Sequence, residues 1–235
     1  MSYDIVYGRR AAREALRGRR EVLELLATER AVAGEQWLRD AGARIRTERE
    51  LSELAATRDH QGVVARMEPY RYADAYALAA VERPLLAVLD RVTDPRNLGA
   101  VCRSAEVAGA TGVVVPAHGS AVVTPAVARS SAGAIEHLAI AVVTNLARYL
   151  NEVKGPDLWV YGASAGAEVS MWDADLTGGV ALVFGAEGRG LRPLVARSCD
   201  GLVSIPSAGR VESLNVSVAA ALLLYESRRQ RGPER

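Results

Sequence analysis

Four continuous apolar runs beyond residue 84 constrain the fold of this chain more than any other feature of the sequence. They cover residues 85–89, 112–116, 158–161 and 180–184. Uninterrupted runs of this length are typical of strands buried on both faces, and segments with helical spacing lie between them. Strands that alternate with helices predict a mostly parallel sheet covered by helices. Ligands of such sheets bind in the loops that follow the strands, so the chemistry is expected there.

A smaller α/β unit precedes these runs. Its predicted helices and strands lie at residues 9–16, 35–41 and 50–57 and at residues 43–47 and 62–67, respectively. Residues 22–27 fit either a strand or a helix. A chain of 235 residues, 49% of them hydrophobic, suits one medium domain and one small domain. We therefore predict an N-terminal domain at residues 1–67, a tyrosine-rich linker at 68–83 and a larger domain at 84–235.

Charge, cysteine and histidine usage exclude several function classes. The net charge of +1 gives no overall attraction to nucleic acid, so any RNA binding must come from local clusters. Cys102 and Cys199 form no Cys-x-x-Cys pair, and His60, His118 and His137 lack metal-ligand spacing, so no metal site is predicted. The chain has no apolar signal core and no apolar run near the roughly 18 residues that span a bilayer. We expect a cytoplasmic protein with no membrane partner.

The loop after the first apolar run leads into a predicted helix. Asp94 and Pro95 suit the start of that helix, and Gly109 suits its end. Its core-facing positions recur at helical spacing and are Leu98, Val101, Ala105 and Ala108. Arg103 lies off this stripe and should project towards solvent or a groove. Alternatively, Arg103 pairs with Glu106 three residues on, which contributes a few tenths of a kcal/mol.

Two further loops carry unusual residues. Residues 185–191 contain three glycines that let backbone amides approach a ligand, in neither the dinucleotide nor the P-loop order. Glu187 stands among them, either in a site or as a solvated charge. The third segment holds Ile205-Pro206, and then Ser213 or Asn215 caps a helix whose residues 216–225 are apolar nearly all round. Such a helix must be covered on more than one side, either within one chain or by a partner subunit.

These three segments resemble the ordered motifs of SpoU-type methyltransferases in the SPOUT superfamily. The residues that carry the resemblance are Asn97-Leu-Gly-Ala100 with Arg103-Ser-Ala105, Phe184 to Leu191, and Ile205-Pro206 with Ser213 to Ala219. Tyr7-Gly8 with His60 to Ala65, together with Val92 to Gly99 and Val143 to Ala147, resembles the subgroup that methylates a guanosine ribose in 23S ribosomal RNA.

The resemblance implies an α/β SPOUT-type catalytic domain, with a mostly parallel sheet and a C-terminal deep trefoil knot. A small α/β ribosomal-protein-like RNA-binding domain would precede it. The implied activity is methyl transfer from S-adenosyl-L-methionine to a ribose 2′-hydroxyl in RNA, most simply 23S ribosomal RNA. The implied assembly is a homodimer with its sites at the subunit boundary.

The same resemblance implies roles for individual residues. Arg103 would be catalytic, and because arginine stays protonated it would hold the ribose and stabilise the nascent alkoxide rather than act as a base. The other implied catalytic residues are Asn97, Glu187, Ser213 and Asn215. Cofactor contacts, largely through main-chain atoms, would come from Phe184, Gly185, Gly190, Ile205, Leu214 and Asn215.

A cluster of arginines on the first helix and at its exit is the candidate RNA-binding feature. Arg9, Arg10, Arg13 and Arg17 are its predicted RNA-binding members, and Arg19 and Arg20 follow, with Glu14 as the one acidic residue among them. Such a cluster can release counterions from RNA, although a solvated helix face has the same pattern.

Three alternatives remain open on the sequence alone. A Rossmann-type nucleotide enzyme would need Gly-x-Gly-x-x-Gly after the first strand, and the loop after residue 89 lacks it. A non-catalytic RNA-binding protein of the same fold would be expected to carry damaged motifs. The same chemistry could also act on transfer RNA or on a ribosomal nucleotide of an antibiotic site.

Overall fold

A computed structural model of the protein describes residues 2–211 and 213–232, so the outermost residues of the predicted domains, 1 and 233–235, lie outside it. The first of its two β-sheets has the strand order β1-β4-β2-β3. Its strands are β1 (Asp4–Tyr7), β2 (Val22–Ala27), β3 (Arg44–Ile45) and β4 (Val63–Met67). Strand β4 is antiparallel to both β1 and β2, and β3 runs parallel to β2. Its helices are α1 (Arg9–Ala15), α2 (Glu29–Gly34), α3 (Gln36–Asp40) and α4 (Glu48–Ala55).

Local sequence explains most of this small unit. Helix α4 begins at a capping box, in which Thr47 accepts from the Glu50 amide and the Glu50 carboxylate accepts from the Thr47 amide. Residues 22–27, which the pattern left open, form strand β2. The strand predicted at 43–47 is shorter than expected. Helix α2 was not predicted, although Thr28 caps it by accepting from the Ala31 amide.

The second sheet confirms the predicted parallel architecture. Its seven strands all run parallel in the order β7-β6-β5-β10-β8-β11-β9. They are β5 (Leu85–Asp90), β6 (Gly112–Pro116), β7 (Ala139–Val143), β8 (Leu158–Ala163), β9 (Val169–Ser170), β10 (Gly179–Gly185) and β11 (Gly201–Ser204). Its helices are α5 (Ala75–Ala79), α6 (Pro95–Val107), α7 (Pro125–Ser130), α8 (Leu146–Val153), α9 (Pro193–Ser198) and α10 (Val216–Arg231), with a 3₁₀ turn at Ala134–Glu136.

Helices cover this sheet on both faces. On one face, residues of α6 and α10 such as Leu98 and Leu223 pack against Leu182. On the other face, Tyr149 of α8 and Val195 of α9 pack with β5 and β10. The apolar run at 158–161 was expected to be buried on both faces, and this was wrong. Trp159 is 51% exposed, because strand β8 alternates between a covered and an open face.

The segment at residues 68–83 is packed rather than extended. It contains helix α5, which Asp74 caps, and Ala73 bridges to Ala141 of β7. The buried Tyr149 hydroxyl donates to the Ala75 carbonyl at 2.9 Å. This segment therefore adds to the core of the second sheet.

Arg20 joins the two parts of the chain. Its guanidinium makes a two-pronged ion pair with Glu136, at 2.6 and 2.9 Å, and also bonds Asp4 at 2.9 Å. The ring of Tyr70 lies 5.2 Å from the guanidinium carbon. Arg20 was expected to belong to the RNA-facing cluster. That expectation was wrong, because the side chain is turned inward to a buried carboxylate from the second sheet's half of the chain.

Candidate functional site

The predicted loops meet at one edge of the second sheet. Strands β5 and β10 pair in parallel register, with Gly185 opposite Asp90, so the loops that follow them start side by side. Strand β11 belongs to the same sheet and leads into residues 205–215. The motifs therefore converge where ligands of parallel sheets bind.

A cavity of about 940 Å³ lies between these loops. Its walls are the glycine-rich loop at 185–191, the segment leading into α10, and the end of β8. The six residues predicted to contact a cofactor all line it, and they are Phe184, Gly185, Gly190, Ile205, Leu214 and Asn215. The volume lies within the range of pockets that hold small ligands and cofactors.

The glycine-rich loop folds back on itself at this cavity. The Gly190 amide donates to the Ala186 carbonyl at 2.9 Å, and Gly190 has a positive φ of 62°. A Cβ atom on Gly185 would lie 2.1 Å from the Gly190 carbonyl carbon, which no side chain can tolerate. Glycine at position 185 is therefore required for the turn that lines the cavity.

An ion pair that sequence reasoning missed anchors the exit of this loop. The carboxylate of Asp90, buried at the end of β5, accepts from the Arg192 amide at 2.9 Å and from the Arg192 Nε at 2.7 Å. Arg192 is the residue that precedes α9. The sequence did contain one indication of this pair, since Asp90 is the charged last residue of an otherwise apolar strand. A carboxylate buried at such a position needs a hydrogen-bonding or charged partner.

Three polar side chains form one cluster beside the cavity. The Asn215 amide donates to Asn97 Oδ1 at 3.0 Å and also to Glu187, and the Asn97 amide donates to Glu187 Oε1 at 3.4 Å. Asn215 caps α10 as well, accepting from the Ser217 amide at 2.9 Å. Ser213 lines the cavity but is not the cap. Four of the five predicted catalytic residues thus lie together.

Arg103 lies apart from them. It is exposed on α6, and it does not line the cavity of its own chain. Within residues 2–211 and 213–232, its side chain makes no hydrogen bond or ion pair, so the alternative pair with Glu106 does not form. The guanidinium is free to meet a group from outside this chain.

Helix α10, which packs against the helix that carries Arg103, exposes an apolar stripe. One side of the helix is buried against α6 and the sheet. The other side carries Val218, Leu222 and Tyr225, each between 40% and 49% exposed, and Leu214, just before the helix, is 48% exposed. The helix was expected to be covered on more than one side, and in a single chain this stripe stays open.

A second cavity, of about 760 Å³, lies in the N-terminal half of the chain. Arg9, Arg10 and Arg13 line it. Arg17 does not, and its guanidinium instead pairs with Glu14 at 3.1 Å. The structure therefore brings three of the four predicted RNA-binding arginines to one concave surface.

Neither cysteine is suited to nucleophilic chemistry. Burial raises the pKa of Cys102 to about 12, and burial, with the nearby charge of Asp200, raises the pKa of Cys199 to about 12. Such thiols hold almost no thiolate near neutral pH.

Among the described residues, no group of three or more His, Cys, Asp or Glu side chains is arranged to hold a metal ion. None of the described helices has the length and apolarity needed to cross a membrane.

Two family profiles match the chain. The SpoU rRNA Methylase family matches residues 84–225, and the RNA 2′-O ribose methyltransferase substrate binding family matches residues 5–73. A Bacillus subtilis protein named putative TrmH family tRNA/rRNA methyltransferase YacO is 40% identical over 242 residues, which cover 98% of this chain and 97% of the relative. The 23S rRNA (guanosine-2′-O-)-methyltransferase RlmB of Pseudomonas syringae pv. tomato is 48% identical over 181 residues, 75% of this chain and 72% of the relative.

Solved structures match the fold over nearly the whole chain. The SpoU methyltransferase AviRb from Streptomyces viridochromogenes, in complex with the cofactor AdoMet, superposes with a TM-score of 0.83 at 29% identity. The match covers 97% of this chain and 90% of AviRb. An AdoMet-bound rRNA methyltransferase from Sinorhizobium meliloti gives a TM-score of 0.78 at 26% identity, over 97% and 87% of the two chains.

Proposed function

The chain belongs to the SpoU rRNA methylase family of S-adenosyl-L-methionine-dependent RNA methyltransferases, and we propose that it methylates the 2′-hydroxyl of a guanosine ribose in 23S ribosomal RNA. The observation that carries this proposal is the cavity at the sheet edge. Two of the motif segments line it, and Asn97 of the first motif joins Glu187 and Asn215 in a cluster at its side. The named relative with 48% identity supports guanosine in 23S ribosomal RNA as the substrate.

The residues present fit the cofactor. Gly185, Ile205 and Leu214 line the cavity and offer backbone amides, carbonyls and apolar surface to a neutral adenosine. A Cβ at position 185 would clash with the Gly190 backbone and disrupt the turn that lines the cavity. When bound, S-adenosyl-L-methionine supplies a methyl group on a sulfonium, which is already a good leaving group. The chain's own task is to hold the ribose hydroxyl in line with that methyl group.

Within this site, we assign charge stabilisation to Arg103. Its planar guanidinium can grip the ribose and an adjacent phosphate while it stabilises negative charge that develops on the attacking oxygen. Asn97, Glu187, Ser213 and Asn215 would position the substrate around it. Because Arg103 lies outside the cavity of its own chain, it would have to act on the cavity of a second subunit.

A homodimer meets that requirement. The exposed stripe on α10 consists of large apolar side chains, and α10 packs against α6, which carries Arg103. Burying two such stripes against each other would remove apolar surface from water and bring α6 of one subunit towards the loops of its partner. The C-terminal trefoil knot implied by the family resemblance is part of the same proposal.

Each of the two predicted domains contains one of the two sheets and has its own proposed role. We propose that residues 1–67 bind RNA through Arg9, Arg10, Arg13 and Arg17, that 68–83 join the domains, and that 84–235 carry out the reaction. A cytoplasmic location is part of the same proposal, since ribosomal RNA is the substrate.

Two measurements test the proposed function. In titration calorimetry, S-adenosyl-L-methionine should bind and NADH should not, and the reverse result would contradict the assignment. Mapping of 2′-O-methyl positions in RNA from a strain that lacks the gene should reveal one missing methylation in 23S ribosomal RNA. A missing methylation in transfer RNA instead would keep the chemistry and replace the substrate.

A further inference from the structure

The 760 Å³ cavity in the N-terminal half carries an uncompensated positive charge. Five arginines from three helices line it, and they are Arg9, Arg10 and Arg13 of α1, Arg30 of α2 and Arg129 of α7. Among the described residues that line it, Glu35 and Glu48 are the acidic ones. Five positive and two negative side chains leave a net charge of about +3 facing one concave space, which attracts anions.

Four of these guanidinium groups have no partner within the described residues. Arg9 pairs with Glu35 at 3.2 Å. In contrast, the side chains of Arg10, Arg13, Arg30 and Arg129 make no hydrogen bond or ion pair with any residue among 2–211 and 213–232. Elsewhere on the same domain, arginines such as Arg44 and Arg66 pair with a carboxylate. The cavity is thus lined by guanidinium groups without partners among the described residues, and an anionic ligand would bridge them.

Arg129 comes from the other half of the chain. Helix α7 follows β6, yet its Arg129 reaches across Gly8, whose φ is +93°. A Cβ atom on Gly8 would lie 2.8 Å from Arg129 Cδ, so the glycine makes room for this side chain. The cavity wall is therefore shared between the two parts of the protein. The Arg20–Glu136 ion pair holds those parts together.

Helix α7 also links the cavity to the proposed reaction site. Ser130, next to Arg129, donates to the Pro95 carbonyl at the first turn of α6 at 3.1 Å. Gly99 of α6 leaves no room for a Cβ, which would lie 1.9 Å from Ser130 Oγ. Helix α6 carries Asn97 and Arg103, so the cavity lies one packed helix away from the residues assigned to methyl transfer.

We propose that this cavity binds a single-stranded segment of the RNA substrate, with backbone phosphates on the arginines and one base against Trp37. Guanidinium forks match phosphate oxygens, and the indole of Trp37, which lines the cavity, offers a stacking surface. A concave space of about 760 Å³ admits a splayed nucleotide but not a duplex. The proposal rests on the proposed function, because it assumes that RNA is the substrate.

Binding measurements on matched arginine variants test it. Arg30→Ala and Arg129→Ala should each weaken binding to a 23S ribosomal RNA fragment roughly tenfold, since each variant loses a charge-assisted hydrogen bond to a phosphate. The slope of log affinity against log salt should become shallower by about 0.7 for each phosphate of a single strand that is no longer neutralised. Arg58→Ala is the control, because Arg58 is an exposed arginine of the same domain that does not line the cavity. The affinity of the Arg58→Ala variant for the RNA fragment should stay within about twofold of that of the unmodified protein, since Arg58 would bind no phosphate.

The outcomes separate this inference from the proposed function. If Arg58→Ala weakens binding as much as the cavity variants do, diffuse charge binds the RNA and the cavity proposal is wrong. If the unmodified protein binds S-adenosyl-L-methionine but neither binds nor methylates 23S ribosomal RNA, the proposed function itself fails. Normal methylation by the unmodified protein together with normal RNA binding by Arg129→Ala overturns the cavity proposal alone.

Tryptophan fluorescence gives an independent readout. Trp159 and Trp172 are both exposed and lie outside the cavity, so the Trp159→Phe Trp172→Phe variant leaves Trp37 as the sole tryptophan. A single-stranded oligoribonucleotide should change its emission, and the same sequence in a duplex should not. An unchanged signal at RNA concentrations that saturate binding would overturn the role of Trp37.

Discussion

Replacing Arg20 by methionine should destabilise the protein strongly, because it leaves a buried carboxylate without its partner. Glu136 has a fully buried side chain, and the Arg20 side chain is 11% exposed. Burial lowers the pKa of Arg20, but the hydrogen bond and charge of Glu136, with the charge of Asp4, more than offset this, so its pKa is raised. Arg20 therefore stays charged at any pH at which the protein is handled.

The size of the effect follows from the burial. Removing one partner of a buried ion pair typically costs about 3–5 kcal/mol, since the remaining charge is uncompensated. For a chain of this length, each kcal/mol lowers Tm by roughly 2–4 °C, so we expect Tm to fall by about 6–20 °C. Asp4 is partly exposed and can be hydrated, so its share of the destabilisation should be small.

Thermal and urea unfolding measure this directly, with two matched variants. Arg17→Met removes a surface pair with Glu14 and should cost no more than about 1 kcal/mol. Arg20→Met Glu136→Leu replaces both charges by apolar groups and should recover most of the stability. If Arg20→Met unfolds within about 1 kcal/mol of the unmodified protein, Glu136 is not held by Arg20 and our account of the interdomain junction is wrong.

Four shorter predictions concern the site and the assembly. Arg103→Ala should lower kcat and kcat/KM together by on the order of 10²–10³ while cofactor affinity barely changes, and near-normal single-turnover rates would remove Arg103 from the reaction. Gly185→Ala should abolish measurable S-adenosyl-L-methionine binding in calorimetry, because its Cβ would lie 2.1 Å from the Gly190 carbonyl carbon, and wild-type affinity would contradict the loop geometry. Leu222→Asp should shift the sedimentation mass from two chains to one and abolish activity, whereas a fully active monomer would refute the partner-subunit role of Arg103. The thiol of Cys102 should not react with a thiol reagent at pH 8 until the protein unfolds, because burial raises its pKa to about 12, and rapid labelling of the native protein would show that it is accessible.

The parallel sheet and the meeting of the motifs could be predicted from sequence because both depend on local patterns. The runs at 85–89 and 180–184 are apolar throughout, and parallel pairing then places the loops after them at the same edge. The failure at 158–161 has a physical cause. A run of large apolar residues has the same pattern whether or not a helix covers both faces, and Trp159 is left open.

Interactions between distant residues could not be predicted. Arg20 and Glu136 are 116 positions apart, and nothing near Arg20 distinguishes it from Arg19 or Arg17. The same holds for the Asp90–Arg192 anchor, 102 positions apart. Arg129 was likewise missed as part of the second cavity, because its place there depends on how two domains pack rather than on any pattern around it.

The most direct test of the central claim is the chemical identity of the methylated product. The purified protein would be incubated with a 23S ribosomal RNA transcript and S-adenosyl-L-methionine carrying an isotopically labelled methyl group, and the RNA digested to nucleosides for mass spectrometry. The account predicts that the label appears in 2′-O-methylguanosine alone, and that Arg103→Ala forms this nucleoside more slowly by on the order of 10²–10³. Label on a base, or an RNA that stays unlabelled while the protein demonstrably binds the cofactor, would contradict it.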